Sequence, residues 1–156
     1  MNRAAVDVAA LPRDEAVESV LYALMSIGRL LRHRMQGDGL DPATFWLLKG
    51  LADRGALRVT ELAALGNLDV STVSRHVTQL HRSGLIERTP DPDDRRAQRV
   101  ALSEQGQELL TRSLIRRRTL LGASLKDWDS SDLETFDRLL VRFSNNIEHN
   151  TTLEQA

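Results

Sequence analysis

The sequence predicts a mainly α-helical protein with one small antiparallel β-hairpin. Three observations lead there. Both ends carry apolar or small residues at helical spacing: Val17, Leu21, Leu24, Gly28 and Leu31 near the start, and Leu133, Phe136, Leu139, Leu140, Phe143 and Ile147 near the end. Thr60 to Arg82 reads as two short helices split by a Gly-Asn turn. Two short β-prone runs then flank a segment dense in proline and aspartate.

In chain order, residues 1–12 lack a pattern and read as a flexible tail. A first helix runs from about Asp14 to Met35 and is ended by Gly37-Asp38-Gly39. Val20, Ile27 and Leu30 widen its apolar stripe, so it is expected to be covered on more than one side. Asp41 and Pro42 start a second helix, as N-cap and first helical residue. Phe45, Trp46, Leu47, Leu48 and Leu51 fill its inner faces. Ala56 to Val59 is a short extended segment and a candidate third strand.

Thr60 can cap the next helix, which buries Leu62, Ala63 and Leu65. Gly66-Asn67-Leu68 is a turn, because Gly and Asn tolerate left-handed backbone. Asp69 caps a helix over about Val70 to Ser83, with a buried stripe of Val70, Val73, Val77 and Leu80, and Gly84 stops it. The opposite face carries Ser71, Thr72, Ser74, Arg75, His76, Thr78, Gln79 and Arg82, with no acidic residue after Asp69. Short hydroxyls reach phosphates and base edges, and arginine can contact guanine with both arms, so this face suits a DNA major groove.

Leu85 to Thr89 and Arg99 to Leu102 read as paired strands. The loop between them carries Asp94, Arg95 and Arg96 near its tip. A helix-turn-helix followed by such a hairpin is a winged helix-turn-helix. An arginine at the wing tip suits a narrow, A·T-rich minor groove. The alternative for both features is an ordinary solvated surface. The turn spacing and the hairpin together favour DNA.

The runs Asp69 to Leu80, Ser83 to Arg88, Asp91 to Arg96 and Val100 to Gly106 together resemble the MarR family of bacterial transcriptional regulators. The Asp-x-Arg wing pattern falls on Asp94 and Arg96. The family's Leu-Thr-x-x-Gly entry to the next helix appears as Leu102 to Gly106, with Ser103 in place of threonine. The resemblance implies DNA contacts from Ser71, Thr72, Ser74, Arg75, His76, Asp94, Arg95 and Arg96. It also implies a homodimer held by the terminal helices, acting on palindromic double-stranded DNA as a ligand-responsive repressor. The family's effectors, small aromatic or anionic molecules, bind between the dimerisation helices and the winged unit. Here that junction would gather His33, Phe45, Trp46 and Arg34; the plainer reading makes the two aromatics core and His33 a surface or internally satisfied histidine.

Beyond the wing, Ser103 caps a long helix to about Lys126, with Leu109, Leu110, Leu114, Leu120, Leu121 and Leu125 apolar and Gly122 a weak point. Arg112, Arg116, Arg117 and Arg118 make it basic, a solvated face or one near DNA or an acidic partner. The segment Trp128 to Ser131 breaks it. Ser131 and Glu134 form a candidate capping box for a last helix to about Asn146.

The expected organisation is therefore a tail over 1–12 and a single domain over 13–156. Within it lie a winged helix-turn-helix at about 41–102 and dimerisation helices at about 14–36 and 104–148. The 156 residues hold no cysteine, which excludes disulfides, thiol nucleophiles and cysteine redox sensing. No apolar run spans a membrane, and Asp7, Arg13, Asp14 and Glu15 interrupt any leader, so a cytoplasmic protein is expected. The net charge of −1 hides an asymmetry: −1 over residues 1–70, +5 over 71–126 and −5 over 127–156. The positive part coincides with the reading helix and wing, as nucleic-acid binding requires. No Gly-rich phosphate loop or ligand spacing points to an enzyme, a cofactor or a metal. His33, His76, His81 and His149 are scattered, and Asp91, Asp93 and Asp94 lack the rest of a calcium loop. The competing class is a winged-helix protein-interaction module that does not read DNA.

Overall fold

The computed structural model describes residues 12–35, 39–94 and 96–154. The tail, apart from Pro12, and most of the Gly37-Asp38-Gly39 stop lie outside them. The elements run α1 (Arg13–Arg34), α2 (Pro42–Arg54), β1 (Leu57–Arg58), α3 (Val59–Leu65), α4 (Val70–Arg82), β2 (Ile86–Pro90), β3 (Gln98–Leu102), α5 (Glu104–Ser124) and α6 (Ser130–Glu154). The mainly α expectation with a small antiparallel sheet is met.

Local chemistry explains most boundaries. Asp41 caps α2, accepting the Thr44 backbone N–H at 3.0 Å and the Thr44 hydroxyl at 2.6 Å. At α3 the expectation needs correcting. Thr60 lies inside the helix, and Arg58 is the N-cap residue, its backbone N–H held by Glu61 Oε2 at 2.7 Å. The carboxylate that reaches back does the capping, which a search for a hydroxyl misses. In the turn after α3, Asn67 takes the left-handed backbone at φ 48°, whereas Gly66 stays at φ −100°. Gly84 ends α4 at φ 72°, where a residue with a Cβ is strained.

The sheet has the order β1-β3-β2 and is antiparallel throughout, with Leu57 opposite Val100 and Ile86 opposite Leu102. The extended segment at 56–59 thus supplies the third strand. The core fills the space between this sheet and α2, α3, α4 and the start of α5: Leu48, Leu51, Leu62, Val73, Val77, Leu80, Ile86, Val100 and Leu110 are all buried. Three members of the α4 stripe are in it. The fourth, Val70, is 47% exposed because it opens the first turn, beyond the edge of the core.

α5 enters at a crowded point. The Ser103 hydroxyl donates to the Gly84 carbonyl at 2.5 Å and accepts the Gly106 N–H at 3.0 Å. A Cβ on Gly106 would overlap the Leu85 carbonyl, so the Leu-Ser-x-x-Gly spacing records a close approach of helix to strand.

The backbone divides into two compact units, 1–113 and 114–156. Within the second, α6 starts at an Asp129 cap, which accepts the Asp132 N–H at 2.8 Å in place of the Ser131–Glu134 box. Trp128 packs edge-on against Phe136 at 5.2 Å. The α6 stripe of Leu133, Phe136, Leu139, Leu140, Phe143 and Ile147 is exposed along its length. In the first unit α1 buries no residue. Val17, Val20, Leu21, Ile27 and Leu30 are exposed, so within this unit the expected cover on more than one side is not found among the described residues.

Candidate nucleic-acid interface

With Val73, Val77 and Leu80 turned into the core, the 3.6-residue period turns Ser71, Thr72, Ser74 and Arg75 outward, all exposed. Ser74, Arg75, Thr78, Gln79 and Arg82 line one shallow groove along the outer side of α4. Thr72 gives its hydroxyl proton to Asp69 at 2.8 Å, so what it offers outward is an acceptor. His76 is half-buried on the flank of the helix. It lies close enough to Asp41 to favour that carboxylate. Burial works to raise the Asp41 carboxyl, but hydrogen bonds from Thr44 and the Ala43 backbone, with His76, hold it below its usual range. His76 is thus less open to the outside than its exposed neighbours Ser74 and Arg75.

At the wing, Asp94 and Arg96 are exposed, and Arg95 lies outside the described residues. Asp94 Oδ1 accepts the backbone N–H of Arg96 at 3.0 Å, and the Ala97 N–H returns to the Asp94 carbonyl at 2.9 Å. The carboxylate shapes the turn that carries Arg96.

The wing is built on a residue that no motif in the sequence marks out. Asp91 has a fully buried side chain. Its Oδ2 takes Arg58 Nε at 2.7 Å and Arg99 Nε at 2.8 Å, and its Oδ1 takes the N–H groups of Asp93 and Asp94 at 2.9 and 3.2 Å. Arg58 and Arg99 are direct cross-strand partners of β1 and β3. Like charges so placed repel, and one carboxylate between them turns the repulsion into a clamp. The Arg58 guanidinium, against the cost of burial, holds the Asp91 carboxyl far below its usual range, with the loop N–H groups and Arg99 adding to it. Asp91 thereby ties the wing loop to β1, and β1 leads directly into α3. The signal was present in the sequence as an aspartate before Pro92 with arginines at 58 and 99, but only pairing brings them together.

Of the residues expected in an effector pocket, Phe45 is core at 8% exposure, Trp46 is 68% exposed and meets Phe45 edge-on at 5.7 Å, and His33 is exposed on α1. Among the described residues no group of His, Asp and Glu is arranged to hold a metal ion, and no helix is long and apolar enough to cross a membrane.

A family model described as MarR family matches residues 40–97, from the start of α2 to the wing loop. The HTH-type transcriptional regulator YxaD of Bacillus subtilis is 32% identical over 132 residues, 82% of this chain and 92% of its own. The HTH-type transcriptional repressor IacR of Pseudomonas putida is 25% identical over 109 residues, 70% of this chain and 65% of its own. In fold, the chain is similar to a solved MarR family protein from Bacillus stearothermophilus, with a TM-score of 0.75, 23% identity and coverage of 88% of this chain and 99% of that one.

Proposed function

The chain belongs to the MarR family of transcriptional regulators, and from that premise we propose that it is a sequence-specific DNA-binding repressor that works as a homodimer on a palindromic operator. It regulates transcription and is not an enzyme. The observation that carries the DNA reading is the outer face of α4, hydroxyl-, arginine- and glutamine-bearing, beside a wing whose turn presents Arg96. α4 enters the major groove and the wing lies over the adjacent minor groove. Its target is the chromosome, so its work is cytoplasmic.

The homodimer rests on the exposed apolar stripes of α1 and α6, since monomers seldom leave so much contiguous apolar surface in water. Two-fold symmetry then matches a palindrome whose half-sites repeat at about 10 base pairs or a multiple. The repressor role follows relatives such as IacR. Release by a small aromatic or anionic effector is the family-level part of the proposal. In this chain Trp46 and His33 are the exposed groups that would meet it, and Phe45 would back them from the core.

Selection of binding sites from a random DNA pool, with light scattering on the free protein, tests the reading. The expected result is a dimer that enriches a two-fold repeat and loses affinity steeply as salt rises. A pool that never departs from random would leave a protein-interaction module as the better account.

A further inference from the structure

We infer that Arg88, on β2, is a further DNA-contacting residue: it grips the phosphate strand that runs between the groove read by α4 and the groove reached by the wing. This rests on the DNA reading above and adds a contact that neither the reading helix nor the wing tip supplies.

Residues two apart share one face of a strand. Ile86 is buried in the core, and Arg88 leaves the same face of β2 just beyond the core's edge. There the guanidinium reaches two elements at once. Its Nη2 donates to Thr78 Oγ1 on α4 at 3.4 Å, and its Nη1 donates to Gln98 Oε1 on β3 at 3.5 Å. Thr78 is itself steadied, since its hydroxyl donates to the Ser74 carbonyl at 2.9 Å. Arg88 therefore sits at the join of reading helix and wing, beside the groove lined by Ser74, Arg75, Thr78, Gln79 and Arg82.

A duplex places one sugar-phosphate strand between neighbouring major and minor grooves. A protein that enters both must ride over that strand at the join. The residue found there is an exposed cation, held by two long, neutral hydrogen bonds that, among the described residues, leave most of its five N–H donors unused. An arginine already oriented by neighbours loses less freedom on meeting an anion, and its planar fork matches phosphate oxygens. Neighbouring Glu87 points to the other face of the strand. The contact would carry affinity and no sequence information.

The test is an anisotropy titration of the full-length protein on its selected site and on a scrambled duplex, each at several salt concentrations. Arg88→Ala and Arg88→Gln should weaken both duplexes by a similar factor, about tenfold. The slope of log affinity against log salt should become shallower by about 0.9 for each phosphate that is no longer neutralised. Arg88→Lys should keep most of that slope, and unchanged thermal melting of all three variants shows that the fold is intact. Weakening confined to the selected site, or an unaltered slope in Arg88→Ala and Arg88→Gln, overturns the inference while leaving the DNA reading in place. A wild-type protein that binds neither duplex overturns both.

Discussion

Two glycines on α5 should respond to alanine with opposite signs. Gly122 is exposed and an added Cβ meets nothing within 4 Å. Alanine there gains helix propensity alone, about 0.5–1 kcal/mol of stability. Gly106 is buried, and its Cβ would overlap the Leu85 carbonyl. That carbonyl is backbone and cannot swing aside, so the first turn of α5 must lift. Overpacking of that kind costs about 3 kcal/mol. Lifting also strains the bonds from Ser103 N–H to Leu85 O at 3.2 Å and from Gly106 N–H to Ser103 Oγ at 3.0 Å. Straining the two together costs about 1 kcal/mol. Against these stands the same propensity gain of about 1 kcal/mol, which leaves Gly106→Ala destabilised by about 3 kcal/mol. With a urea slope of about 2 kcal/mol/M, the midpoint should fall by about 1.5 M for Gly106→Ala and rise by about 0.3–0.5 M for Gly122→Ala. Urea unfolding followed by far-ultraviolet circular dichroism, at one fixed protomer concentration, measures both. A Gly106→Ala protein as stable as wild type would refute the seating of α5 against Leu85. A destabilised Gly122→Ala would show that this position is covered in solution.

Arg75→Ala should cost about 1–3 kcal/mol on the selected site and relax base choice at one position, read from a fresh site selection; equal weakening on every sequence would make Arg75 a phosphate contact. Asp94→Ala should weaken binding because it loosens the turn under Arg96, and Arg96→Ala should lose any preference for A·T-rich flanks; tighter binding by Asp94→Ala, the result expected of a carboxylate that only repels phosphate, would reject that role. Asp91→Asn should lower the melting temperature at neutral pH and weaken DNA binding through the wing. Because the folded carboxyl lies below its ordinary value of 3.8, its contribution is full above that value and fades as pH falls below it. The melting difference between wild type and Asp91→Asn should therefore be constant from pH 7 to about 5 and shrink below about 4; a difference that grows on acidification would contradict the clamp.

What the sequence determined by itself lies within reach of one turn of chain. Asp41 before Pro42, the Val73, Val77 and Leu80 spacing, Gly84 after α4 and the Pro- and Asp-rich loop each act on neighbours a few residues away, so their meaning does not depend on the rest of the fold. The outer face of α4 was legible for the same reason: once three residues of a helix are buried, its period assigns the others. The tertiary structure decided what depends on strand register and on which surface a helix lies against. Pairing β1 with β3 sets Arg58 beside Arg99, and Asp91, 33 positions beyond Arg58, becomes a buried clamp where the sequence showed only an acidic loop. Pairing β2 with β3 brings Gln98 to Arg88, and packing β2 under α4 brings Thr78. Val70 stayed in water although it fits the apolar period, because the core ends before the first turn of α4. Periodicity gives the direction in which a side chain points; whether anything stands there is settled only when distant segments meet.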